Sequence, residues 1–315
     1  MRRWIKFCLC LVCTLLVISA CQRPAVQETA LPPNSCQMVQ HVMGETCVPL
    51  NPQRIVTLDG FGLDALLALG VQPVGAANPF SSYLDDRLVD IPLLGRPQEP
   101  SLERIVMLKP DLILAFSWYH QPLYDRLSQI APTVVHDFNH GREVREIVQF
   151  IGQTIGQPEK AAQVLADYDR RLAGLKANMT SPPTVSLIRI HQQGVGLMQR
   201  GSFPGYILEE AGLSRPANQQ HIDIHQENGV WRHIQINISK EQIAEVDADV
   251  LFVFNDVDPA SEQRLQQMKT DPLWSRLDVV QRDRVYEVPA YWGCCGLIAA
   301  NRVVDDLWKY VVEQP

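Results

Sequence analysis

Residues 53–76, QRIVTLDGFGLDALLALGVQPVGA, decide the fold. Gln53-Arg54-Ile55-Val56-Thr57-Leu58 is a short β-branched run of the kind that fills a buried strand. It stops at Asp59-Gly60-Phe61-Gly62, after which Leu63-Asp64-Ala65-Leu66-Leu67-Ala68-Leu69 reads as a helix closed by Gly70. Val71 to Ala76 is the next strand. The same rhythm continues downstream. Ser101 is a helix cap, Pro110 stops the helix that holds Ile105 to Leu108, and Asp111-Leu112-Ile113-Leu114-Ala115-Phe116 is a third apolar strand. Gln121 to Ile130 is helical and Thr133-Val134-Val135 is a fourth strand. Short buried strands alternating with helices imply a parallel sheet covered on both faces.

From Gly141 the pattern changes. Val144, Ile147, Val148 and Ile151 keep helical spacing, and after Gly156-Gln157-Pro158 a second stripe runs through Ala162, Leu165, Tyr168, Leu172 and Leu175. A helix from Glu159 to Met179 would be about 30 Å long, enough to pass from one lobe to another. Beyond Ser181-Pro182-Pro183 the alternation restarts, through Val185–Ile190, Val250–Phe254 and Val285–Val288, and ends in a helix over Ala299–Val312. The fold class is therefore α/β, two parallel-sheet α/β lobes joined by one long α-helix. The expected boundaries are a signal segment at 1–20, a tether at 21–52, an N-terminal lobe at 53–157, a linking helix at 158–180 and a C-terminal lobe at 181–315.

The first 21 residues, MRRWIKFCLCLVCTLLVISAC, carry basic residues, an apolar run and small residues before Cys21. That is an export signal. Its apolar run of about 12 residues is too short to span a bilayer, which needs about 20. A cysteine directly after Ile18-Ser19-Ala20 resembles a bacterial lipobox, implying cleavage before Cys21 and lipidation of its thiol. The expected address is the extracytoplasmic face of the cell membrane, held by a lipid anchor. The formal charge of −7 supplies no basic face for nucleic acid. Export permits disulfides. Cys36 and Cys47 enclose a short loop that a disulfide would staple, while adjacent Cys294 and Cys295 are open to a vicinal disulfide, a cross-link elsewhere or the reduced state. No CxxC spacing supports a metal site.

Several stretches resemble one family. Arg54-Ile55-Val56 through Leu66-Leu67-Ala68-Leu69-Gly70-Val71-Gln72-Pro73-Val74-Gly75 looks like the opening of the periplasmic binding proteins that serve iron–siderophore and vitamin B12 importers. Pro100-Ser101-Leu102-Glu103-Arg104-Ile105 with Leu108-Lys109-Pro110-Asp111-Leu112-Ile113 is similar to that family's P-N-L-E-x-I…L-K-P-D-L-I signature. Asp271-Pro272-Leu273-Trp274, Val285-Tyr286-Glu287-Val288-Pro289 and Trp292 resemble the closing segment, above all in hydroxamate-siderophore binders. The resemblance runs from Pro52 to the C-terminus, and Cys294-Cys295 departs from it. It implies a ligand cleft between two lobes, a rigid linking helix with modest closure, and docking on an ABC permease driven by a cytoplasmic ATPase. It also implies a monomer that performs no chemistry, with no catalytic residue, no metal ligands of its own and no cofactor beyond iron carried in as a ferric chelate.

A ferric siderophore is bulky, with apolar arms and polarised oxygens around its metal, so its site needs aromatic faces and arginine donors. Such residues stand in loops after expected strands, where open α/β sheets bind ligands. Trp118 and Tyr119 follow Leu112–Phe116. Arg96 follows Gly95, near where hydroxamate binders carry an arginine but offset by a residue. Arg189 lies in the first strand of the second lobe, and Arg200 precedes Gly201-Ser202-Phe203. Trp231 precedes the Ile234–Ile238 strand, and Tyr291-Trp292 follows Val285–Val288. The resemblance marks Glu103 and Glu241 as permease-docking carboxylates, one on each lobe, where separated charges fix orientation and speed encounter.

Rival ligands are ferric citrate, vitamin B12 and haem, the last with Tyr119 or Tyr291 as an axial group. An exported α/β enzyme is the rival from another class. The absence of GxSxG, of GxGxxG after a strand and of a P-loop counts against it. His221 and His225 have i,i+4 spacing but stand in a polar stretch that reads as loop.

Overall fold

In the computed structural model the first-lobe strands Ile55–Thr57, Leu112–Phe116 and Thr133–His136 are buried along their whole length, as expected of a sheet covered on both faces. The structure describes residues 36–79, 82–137, 143–222, 225–227, 230–232, 234–293 and 296–313. All of these except Cys36 fall in the unit Gln37–Pro315. The described chain opens with a hairpin, β1 (Cys36–His41) and β2 (Gly44–Pro49), where a tether was expected up to residue 52. Backbone and polar groups fasten it, which hydrophobic periodicity does not register. The Val42 N–H donates to Val135 O, Thr46 Oγ1 donates to Thr133 O, and Gln37 Nε2 donates to Gln153 O. Val48 is fully buried, and Cys36 and Cys47 are both disulfide-bonded.

The first lobe follows as β3 (Ile55–Thr57), α1 (Gly60–Ala68), β4 (Gly75–Ala76), α2 (Leu102–Leu108), β5 (Leu112–Phe116) and β6 (Thr133–His136). The sheet order is β4-β3-β5-β6, parallel throughout. The expected strand over Val71–Ala76 shrinks to its last two residues, because Pro73 has no N–H to give a ladder. The outer side of β4 is paired instead by residues 92–95: Ala76 N–H donates to Pro92 O, Leu94 N–H to Ala76 O, and Asn78 N–H to Gly95 O.

Helices α3 (Val144–Thr154) and α4 (Pro158–Asn178) lead to the second lobe. Its elements are β7 (Val185–His191), β8 (Gly194–Met198), α5 (Phe203–Glu210), a small hairpin of β9 (His225–Glu227) and β10 (Val230–Arg232), β11 (Gln235–Ile238), β12 (Val250–Asn255), α6 (Pro259–Lys269), β13 (Val285–Glu287) and α7 (Leu297–Leu307). The sheet order is β11-β8-β7-β12-β13. Strands β7, β12 and β13 are parallel, but β8 lies between β7 and β11 and pairs antiparallel with both. This second sheet is mixed, where a parallel one was expected. The two-residue turn Gln192-Gln193 can only reverse the chain, since a parallel return needs a crossover of a dozen residues or more.

Each sheet buries one face in a cluster of its own and the other in a shared core. Val56, Ile113, Ala115 and Val135 face the first lobe's own cluster, while Ile188, Ile190, Leu251 and Val253 face the second's. Their neighbours Ile55, Leu112, Leu114, Leu187 and Phe252 join the shared core with Leu165, Leu172 and Leu175 of α4. Polar ties run alongside it. The buried Asp64 carboxylate of α1 accepts from the N–H groups of Ile298 and Ala299 at the start of α7, and from the Tyr83 hydroxyl. Gly296 (φ 121°) makes that approach, for a Cβ there would lie 2.2 Å from Asp64 Cγ. Arg145 on α3 bridges Asp169 of α4 and Glu210 of α5, each at 2.7 Å.

Candidate functional site

Four parallel strands end together on one edge of the first sheet, and the sequence places its aromatic and polar groups there. Asp59 ends the β3 segment and caps α1, accepting from Gly62 N–H at 2.9 Å. Its Oδ1 lies 3.2 Å from Nε2 of His136, the last residue of β6, and both side chains are buried. Burial alone would raise the Asp59 carboxyl; the charge and hydrogen bond of His136, then Gly62 N–H, outweigh that and hold it below the usual range. Phe116, at the end of β5, stacks on His136 at 5.4 Å and meets Phe61 edge-on at 5.7 Å. Above this layer the short helix Ser117–His120 carries Trp118 and Tyr119, both half-buried, with ring centroids 6.1 Å apart. Arg96 stands at the end of the 92–95 lane, exposed, and makes no ion pair among the described residues. Arg96, Trp118 and Tyr119 thus share one edge, which carries a guanidinium without an ion pair among the described residues beside two aromatic rings.

The second lobe answers differently from the sequence reading. Arg189 gives Nε and Nη2 to both oxygens of Asp256, at 2.7 and 2.9 Å, so its charge is already paired. Arg200 is likewise paired, with Glu209, and its register puts it elsewhere. Because β8 runs antiparallel, with Leu197 opposite Ile188, the chain reaches Arg200 at the amino-terminal edge of β7. Trp292 is fully buried, donates Nε1–H to Asp306 at 2.7 Å, and packs on Phe252 at 4.6 Å. It is a core side chain, contrary to the expectation of a ligand wall: a residue next to a hairpin-free strand end can turn inward when an acceptor such as Asp306 waits there. The Tyr291 hydroxyl donates to the same carboxylate at 2.6 Å, and burial first, then Asp306, raises its pKa. Its ring stands 6.5 Å from that of Tyr83 in the first lobe, with Arg302 over both. Trp231 belongs to β10, and its side chain lies outside the described residues, as does Cys21.

Residues 55–292 match the Periplasmic binding protein family. The chain belongs to it. This binding protein is 32% identical over 327 residues to the "probable siderophore-binding lipoprotein YfiY" of Bacillus subtilis, covering 99% of each. It is 33% identical over 270 residues to the achromobactin-binding periplasmic protein of Dickeya dadantii, covering 81% of this chain and 85% of that one. Among solved structures it is similar to Staphylococcus aureus SirA complexed with staphyloferrin B, at TM-score 0.73 and 28% identity, over 87% of this chain and 98% of that one. Among the described residues, no helix of the binding protein is long and apolar enough to cross a membrane.

The binding protein presents Glu103 in the first turn of α2 and Glu241 on the helical turn Lys240–Val246, both exposed. The Glu241 carboxylate is held below its ordinary pKa, first by its own backbone N–H and then by the Ser239 hydroxyl. Sequence reasoning missed His120, His136, Asp256 and Asp306. The first three stand at or just beyond the carboxyl ends of legible strands. The positional rule that picked out Trp118 would have found them had it been applied to histidine and aspartate.

Proposed function

We propose that this binding protein is an extracytoplasmic receptor, anchored by lipid at Cys21, that binds a ferric siderophore non-covalently and delivers it to an ABC permease with a cytoplasmic ATPase. It acts as a monomer, and iron enters only inside the cargo chelate. The relatives named for siderophore binding support this reading. The observation that carries it is that the Arg96 guanidinium, the Trp118–Tyr119 surface and a buried Asp59–His136 pair all lie at the same edge of the first sheet. Guanidinium donors suit the polarised oxygens of a ferric chelate, and aromatic faces suit its apolar arms. Hydroxamate chelates come first among the candidates because residues 271–292 resemble that subgroup's closing segment. Glu103 and Glu241 are the docking carboxylates.

Tryptophan fluorescence of the mature chain, titrated with ferric desferrioxamine B, ferric citrate, cobalamin and haem, tests the ligand. Saturable quenching by a ferric chelate, with the chelate recovered intact, is expected. Quenching by cobalamin or haem alone, or turnover of the added compound, overturns the proposal.

A further inference from the structure

His120 is fully buried and uses both ring nitrogens. Its Nδ1 accepts from Phe116 N–H at 3.0 Å, so the proton sits on Nε2, which lies 2.7 Å from the carbonyl oxygen of Pro97. The first bond is local, closing the turn that carries Trp118 and Tyr119. The second is not. Pro97 follows the 92–95 lane, and the lane order there is 92–95, β4, β3, β5. At about 4.8 Å per lane, the outermost lane and β5 are separated by roughly 14 Å. For Pro97 to meet a side chain just past β5, the loop after Gly95 must fold back over the carboxyl ends of β4 and β3. Gly95 permits that reversal with φ 99°, and the Arg96 carbonyl accepts from Glu99 N–H to close it.

We infer that His120 is a positioning residue: it ties the Arg96–Pro97 loop to the Trp118–Tyr119 turn and so sets the spacing between guanidinium and aromatic surface that a ferric chelate meets. The inference rests on the ligand reading above. A pre-set spacing spares the loop the ordering cost it would otherwise meet on binding.

The test compares His120→Asn with His120→Gln. The asparagine amide occupies the place of Nδ1 and keeps the local bond; the glutamine amide reaches the place of Nε2 and keeps the bond to Pro97. With ferric desferrioxamine B and ferric citrate as probes, His120→Asn is expected to weaken binding about tenfold, as losing one directed hydrogen bond does. His120→Gln should stay within about threefold of wild type. Adding Arg96→Ala to His120→Asn should cost little more than either change alone, since both act through the same guanidinium. Wild-type affinity for His120→Asn, or losses that multiply in the double variant, overturn the inference while Arg96→Ala still weakens binding. If neither probe binds the wild-type chain at all, the ligand reading itself falls. Should His120→Asn lower the melting temperature, amide exchange of residues 95–100 decides: faster exchange in His120→Asn than in His120→Gln supports the tie, and equal exchange refutes it.

Discussion

Replacing Asp64 with asparagine should erase one specific piece of the protein's pH dependence. Asp64 is fully buried, and burial pushes its pKa from 3.8 up to about 6, against the opposing pull of the Ile298 and Ala299 N–H groups and the Tyr83 hydroxyl. The folded state therefore holds the Asp64 proton more tightly than the unfolded chain does. The stability this contributes is fully present below the unfolded value and is lost as pH rises through about 6. A displacement of that size is worth about 3 kcal/mol. Asparagine cannot titrate, so the stability of wild type minus that of Asp64→Asn should grow by about 2 kcal/mol between pH 7.5 and pH 4, the remainder appearing only below the unfolded value. Urea unfolding of both proteins at pH 7.5, 6, 5 and 4 measures it, and every other carboxylate cancels in the difference. A difference constant to within about 0.5 kcal/mol across that range would refute the reasoning.

Trp118→Ala should weaken ferric chelate binding by about tenfold or more and remove part of the fluorescence quench, read in the same titration. Trp292→Phe should do the reverse: it strips the N–H bond to Asp306 and costs about 1–3 kcal/mol in urea unfolding, with chelate affinity unchanged. Glu103→Ala combined with Glu241→Ala should abolish uptake in cells that depend on this receptor while leaving affinity intact; lost affinity would assign those carboxylates to the ligand site or the fold.

Local pattern carried a great deal here. Residues 53–76 specify a strand, a helix and the return of the chain because β-branched runs, a capping aspartate at 59 and glycines at 60, 62 and 70 act within a few residues of one another. The 21-residue helix α4 was equally legible, since a stripe at helical spacing needs no knowledge of what covers it. Trp118 and Tyr119 are singled out by position, at the end of a strand that reads clearly.

Tertiary structure decided everything that depends on a partner distant in sequence. Arg189 and Arg200 look alike in the sequence, and only the fold shows each paired with a carboxylate, while Arg96 is left without an ion pair among the described residues. Trp118 and Trp292 are the same side chain after similar strands, yet one is half-buried at the sheet edge and the other is sealed against Phe252 and Asp306. Whether a polar side chain meets solvent, a ligand or an ion-pair partner is a property of the assembled neighbourhood, because pairing energies fall off within a few ångströms. Chain order brings near only neighbours in sequence; packing brought Pro97 to His120 and Ile298 to Asp64.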